Sequence, residues 1–153
     1  VGDADAVFDR LVTELVGRVG QFEGAANAYQ QALSLEPNQP DTHKNLGLVH
    51  IAEGNLPAAI QRFEAAVQLE PGSPERHAEL GLLLIDAGDL QRASKAFKEA
   101  LTIAPNCVPG LIGTALVAEQ QGDTEQAIKV LRRAVEIAPK NASVHSLLIR
   151  LTR

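Results

Sequence analysis

Histidine is the side chain with the widest chemical reach here, as a metal ligand or as a proton carrier near neutrality. The sequence has four, His43, His50, His77 and His145. A metal site needs side chains that converge on one point. His43 and His50 are seven residues apart, about 10 Å of rise if the segment is helical. His43, His77 and His145 are separated by multiples of 34 residues, so any ordered repeat would hold them a helix-packing distance apart. The single cysteine, Cys107, has no second thiol with which to form an internal disulfide or a zinc-type pair. It follows Pro105-Asn106 in a connecting segment, with no adjacent base to activate it. The acid pairs Asp3 and Asp5, or Glu75 and Glu79, also lack a partnered base. The run Pro109-Gly110-Leu111-Ile112-Gly113 lacks both the lysine motif and the preceding strand of a phosphate loop. No catalytic site, metal site or cofactor is therefore expected, and the chain is read as a non-enzyme.

What such residues would have to be mounted on is set by composition. The 153 residues are 45% hydrophobic and 22% charged, with 14 basic and 19 acidic residues and a net charge of −5. These are the proportions of a globular domain, and a chain of this length buries roughly 70% of its unfolded surface. The longest apolar run, Leu80 to Ile85, is broken by Gly81 and stopped by Asp86, far short of the ~20 residues that cross a bilayer. Membrane insertion is not expected. Basic residues gather only at Arg92, Lys95 and Lys98 and at Lys129, Arg132 and Arg133, as on the solvated face of a helix, so nucleic acid is not an expected partner. The chain starts at Val1, has no methionine and shows no basic start followed by an apolar core. A processed or truncated product is expected, with a cytoplasmic setting favoured and a processed N-terminus compatible.

The organising feature is a repeat. Pro37, Pro71, Pro105 and Pro139 lie 34 residues apart, and Gly20, Gly54, Gly88 and Gly122 keep the same interval. So do Ala25, Ala59, Ala93 and Ala127, and Ala32, Ala66, Ala100 and Ala134. The units are 6–39, 40–73, 74–107 and 108–141, and residues 142–153 form a partial fifth unit or capping helix of one array spanning 1–153.

Each unit reads as two helices. Ala59, Phe63, Ala66 and Val67 follow helical spacing, and Ala93, Phe97, Ala100 and Leu101 repeat it. Before each stripe stands a glycine and a capping residue, Gly54-Asn55, Gly88-Asp89 and Gly122-Asp123, with the weaker Gly20-Gln21 in the first unit. The residue before each proline leaves the α region and ends the second helix. Ser73-Pro74-Glu75 then supplies a cap, a first-turn proline and a first-turn acid for the next start. Short alanines let the paired helices approach, and Tyr29, Phe63, Phe97 and Leu131 fill the space between pairs. One unit alone cannot bury its apolar faces, so stability comes from stacking.

On these residues the sequence resembles the tetratricopeptide repeat family, whose pattern is W-x2-L-G-x2-Y, A-x3-F and P. The second unit shows His43, Leu46, Gly47, His50, Ala59, Phe63 and Pro71, and the third His77, Leu80, Gly81, Leu84, Ala93, Phe97 and Pro105. The resemblance implies an all-α fold, a right-handed superhelical solenoid of antiparallel helix pairs. It also implies that the histidines fill the family's aromatic places. The pattern weakens at the ends: the fourth unit has Leu111, Thr114, Ala115 and Ala118, and the first has Thr13 for the glycine. Phe8, Leu11, Val12 and Leu15 fit better when shifted by one residue.

In the first helix of unit two, Asp41, Lys44, Leu48, Ile51 and Ala52 lie about 140° from the packing stripe, at about 100° per residue. Unit three offers Glu75, Ala78, Leu82, Ile85 and Asp86, and unit four Pro109, Ile112, Leu116, Glu119 and Gln120. The resemblance implies that first helices line a concave groove, here with an apolar floor and acidic edges. The competing reading is that these residues touch neighbouring helices. Some family members grip C-terminal carboxylates with Lys, Asn and Arg on successive first helices. Here Lys44 and Asn45 suit that role, but Leu48, Glu75 and Glu79 do not. The expected function is a protein–protein interaction scaffold that binds an apolar or amphipathic peptide or helix of a partner. The alternatives are an accessory docking or dimerisation domain of a larger enzyme, and a self-associating assembly protein. Residues 142–153, with Val144, Leu147, Leu148, Ile149 and Leu151, have few polar sides. A homo-oligomer through this C-terminal helix, or cover by further chain or a partner, is the corresponding expectation.

Overall fold

A computed structural model describes residues 22–153 and shows eight helices among them. In chain order these are α1 (Phe22–Leu35), α2 (Pro40–Ala52), α3 (Leu56–Leu69), α4 (Pro74–Asp86), α5 (Leu90–Ile103), α6 (Val108–Gln120), α7 (Thr124–Ile137) and α8 (Ala142–Thr152). No strand occurs among the described residues, as expected. The first helix of unit one, with Phe8, Leu11, Thr13 and Leu15, and the Gly20-Gln21 turn lie outside the described residues. The 34-residue period resolves into a first helix of 13 residues, a three-residue turn, a second helix of 14 and a four-residue connection.

The turn is where sequence dictates geometry most directly. Gly54, Gly88 and Gly122 have φ of 74°, 77° and 84°, the left-handed region that only glycine enters without strain. Each turn closes the first helix by backbone bonds: Gly54 N donates to Ile51 O at 2.9 Å and Asn55 N to His50 O at 2.8 Å. The next side chain starts the second helix. Asn55 accepts from Ala58 N at 3.3 Å, Asp89 from Arg92 N at 3.1 Å and Asp123 from Gln126 N at 3.0 Å. Ser73 caps α4 through Arg76 N at 3.4 Å, with Pro74 in the first turn. A helix reversed by three residues runs antiparallel to its predecessor.

The chain divides into two compact units, residues 1–71 and 72–153. In the described part of the first, α2 packs against both α1 and α3. In the second, α4 pairs with α5 and α6 with α7, the pairs meet through α4–α6 and α5–α6 contacts, and α8 packs on α7. Phe63, Phe97 and Leu131 are buried, together with Ala59, Ala66, Ala93, Ala100, Ala127 and Ala134. The glycine of the L-G pair has a clear purpose. A Cβ on Gly47 would meet Phe63 Cε2 at 2.6 Å, and one on Gly81 would meet Phe97 Cε1 at 2.6 Å. Each of these second-helix rings lies against the backbone of its own first helix. Among the described residues no helix is long and apolar enough to cross a membrane.

Candidate partner-binding surface

The residues with the widest chemical reach are structural. His43 Nε2 donates to the Pro37 carbonyl at 3.0 Å, and His145 Nε2 donates to the Pro139 carbonyl at 2.7 Å. A carbonyl only accepts, so Nε2 carries the proton in both rings. Histidine thus ties α2 and α8 to the proline that closed the preceding repeat. Repeat unit four has Leu111 at this place, and there Arg133 Nη2 on α7 donates to the Pro105 carbonyl at 2.8 Å. This substitution of one donor for another is absent from the period and was not foreseen. Among the described residues no three His, Cys, Asp or Glu side chains gather to hold a metal. Cys107 is buried at the start of α6. Burial pushes its thiol pKa up, a backbone hydrogen bond with Gly110 opposes this, and the Glu75 charge adds to it. The thiol is therefore a poor nucleophile. Pro109 to Gly113 lie within α6, so they form no loop that could cradle phosphate.

The stripe of first-helix residues is distributed as follows. In the first compact unit Asp41 is exposed, Lys44 and Ile51 are half-buried and Leu48 is buried. In the second, Glu75 and Asp86 are exposed, while Ala78 and Ile85 are buried and Leu82 is half-buried. On α6, which packs beside α4, Ile112 is half-buried and Leu116 buried. The accessible large aliphatic side chains are therefore Ile51, Leu82 and Ile112, with Ala52 half-buried and Pro109 exposed beside them in the stripe. The buried members serve instead as packing between helices.

Glu119 has a partner that sequence reasoning missed. Arg150 Nη2 on α8 donates to its carboxylate at 2.6 Å, with the two side chains 40% (Arg150) and 29% (Glu119) exposed. The signal was present in the period. Leu48, Leu82 and Leu116 lead to Arg150, and Ile51 and Ile85 lead to Glu119. Two apolar places become charged together, with opposite signs. Elsewhere Arg76 pairs with Glu79 at 3.5 Å and Arg92 with Asp89 at 3.8 Å, while Lys95, Lys98, Lys129 and Arg132 are exposed on the second helices.

This periodic architecture agrees with what the chain is similar to. The profile described as Tetratricopeptide repeat matches residues 50–109 and 84–151, windows that begin one 34-residue period apart, and a TPR repeat profile matches 19–54. The chain belongs to the tetratricopeptide repeat family. No curated protein sequence is significantly similar to it. A crystal structure of MamA shares 24% identity at a TM-score of 0.75, over 89% of this chain and 80% of that one. PilF of Pseudomonas aeruginosa superposes at 0.77 with 20% identity, over 98% of this chain and 69% of that one. A thermophilic TPR protein of Thermus thermophilus superposes at 0.76 with 18% identity, over 96% of this chain and 88% of that one. At these identities the likeness is one of fold. TPR repeats make the chain a protein–protein interaction scaffold, with other proteins as its partners.

Proposed function

We propose that this TPR chain holds an apolar or amphipathic segment of a partner protein against the first helices α4 and α6. The carrying observation is that Leu82 and Ile112 stay half-exposed on two adjacent first helices whose neighbouring apolar residues, Ala78, Ile85 and Leu116, are buried. Two accessible aliphatic side chains on a rigid, well-packed floor are suitable anchors, since the floor loses little freedom on binding. Exposed Glu75 and Asp86 and the Glu119–Arg150 pair border this patch with charge, the arrangement of an apolar core with a polar rim. Acids at the border disfavour a carboxylate ligand and favour apolar or basic flanks. In the first compact unit Ile51 is also half-buried and Lys44 and Asp41 stand at matching places, so the same mode of contact is available there.

The test is a selection of displayed random peptides on the 153-residue chain, followed by fluorescence anisotropy with the enriched peptides. They should carry spaced apolar anchors, and Leu82→Glu combined with Ile112→Glu should weaken binding at least about tenfold, the effect of ~1.4 kcal/mol, while helicity is retained. Equal binding to the double variant would refute the reading.

A further inference from the structure

Where α5 packs on α6, inside the second compact unit, the repeat is broken on both sides at once. Ser94 on α5 stands at the place of Ala26, Ile60 and Ile128, and Thr114 on α6 stands at the place of Leu46, Leu80 and Leu148. Two helices in contact thus each replace an apolar side chain by a hydroxyl. A cleft of about 280 Å³ opens between them, lined by Ser94, Lys98, Leu101, Thr102 and Thr114. Leu101 does not fill it, because its Cδ2 lies against Gly110 of α6, 3.1 Å from where a Cβ on that glycine would stand. Space left by shortened side chains costs packing energy, so a paired shortening at one contact calls for an occupant.

The chemistry of the lining says which. Thr102 Oγ1 donates to the Lys98 carbonyl and Thr114 Oγ1 to the Gly110 carbonyl, both at 2.8 Å. Each hydroxyl proton is committed to its own helix, and what the two oxygens have left to offer is acceptor capacity. Lys98 offers only donors. Its ammonium group and the Ser94 hydroxyl have no partner within the protein among the described residues. A carboxylate or phosphate would satisfy Lys98 and Ser94 but would set its lone pairs against those of the two threonines. A hydrocarbon would leave all four groups unpaired. A primary carboxamide matches both halves: its oxygen accepts from Lys98 and Ser94, and its NH2 donates to Thr102 and Thr114. The volume lies at the low end of the range for small-molecule sites, about 300–1,000 Å³, and suits one inserted side chain.

We propose that the α5–α6 cleft receives the side-chain carboxamide of a glutamine or asparagine from a partner polypeptide. Thr114 and Ile112 are two residues apart, about 200° on the helix. The cleft therefore opens on another side of α6 from the partner-binding stripe, and its occupancy does not depend on that stripe.

The probes are propionamide and propionate, the end groups of glutamine and glutamate side chains, each titrated into the isotopically labelled chain and followed by amide and methyl NMR. Propionamide should shift the amide signals of Ser94, Lys98, Leu101, Thr102 and Thr114 and saturate in roughly the millimolar range, as befits so small a ligand. Propionate should bind at least about threefold more weakly, and Thr114→Val, which keeps the shape and removes the acceptor, should weaken propionamide by about threefold to tenfold. Ser94→Ile combined with Thr114→Leu restores the residues of other units. This double variant should melt no lower than the parent and show no saturable shift. Propionate binding as tightly as propionamide would make the cleft an anion site and overturn the proposal. So would an affinity unchanged by Thr114→Val, shifts centred on Leu82 and Ile112, or no saturable shift with the parent chain.

Discussion

Gly81 on α4 and Ile149 on α8 occupy the same place in the 34-residue period and have opposite surroundings. The phenyl ring of Phe97 lies on the Gly81 backbone, so close that an added Cβ would meet it at 2.6 Å. Ile149 is 53% exposed. What a residue does at this shared place depends on what is packed over it, the Phe97 ring in the case of Gly81. In the middle of the array the place demands the smallest side chain. On α8, the last described helix, the same place holds a large side chain that is exposed.

The sharpest way to break this comparison is at the ring itself. Phe97→Ala should cost about 4 kcal/mol, because a fully buried ring is removed and the flanking glycines cannot refill its volume. Gly81→Ile, which copies the α8 residue into α4, should cost about 3 kcal/mol by overpacking, whereas Ile149→Gly should change stability by only about 1 kcal/mol, mainly through helix propensity. Equal losses in urea denaturation would show that the two places do not differ. Gly88→Ala should cost about 1 kcal/mol, since φ of 77° strains any side chain while the space around it is open. Replacing Glu119 or Arg150 by alanine should cost under about 1 kcal/mol, because the pair is partly exposed and screened by salt. A double-mutant cycle on these two measures their coupling directly.

The fold was legible because its rules are local. Glycine at positive φ, Asn or Asp after it, and proline at the unit boundary define the ends of the helices without reference to anything distant. Gly54-Asn55, Gly88-Asp89 and Gly122-Asp123 accordingly lie at the expected turns. The stripe was harder to read. A helical wheel gives an angle and not a neighbour, so Leu82 and Ile85 look alike in sequence although only Leu82 keeps substantial exposure. Ala78, Ile85 and Leu116 are buried because first helices pack side by side, a contact that the period of a single helix cannot reveal. Long-range donors escaped for a similar reason. Arg133 reaches the Pro105 carbonyl across 28 residues, and only the missing histidine at Leu111 hinted that such a donor was needed. His43 and His145, whose residue type allows metal ligation, are donors to proline carbonyls, a role that depends on the turn before them.

The most direct measurement of the central claim is methyl NMR of the chain titrated with a peptide selected for binding. If the partner segment lies on α4 and α6, the methyl signals of Leu82 and Ile112 should shift or broaden first, while those of Ile103 and Ile149 hold still at concentrations where the chain is monomeric. Shifts confined to Ile103 or Ile149, with Leu82 and Ile112 unmoved, would contradict it.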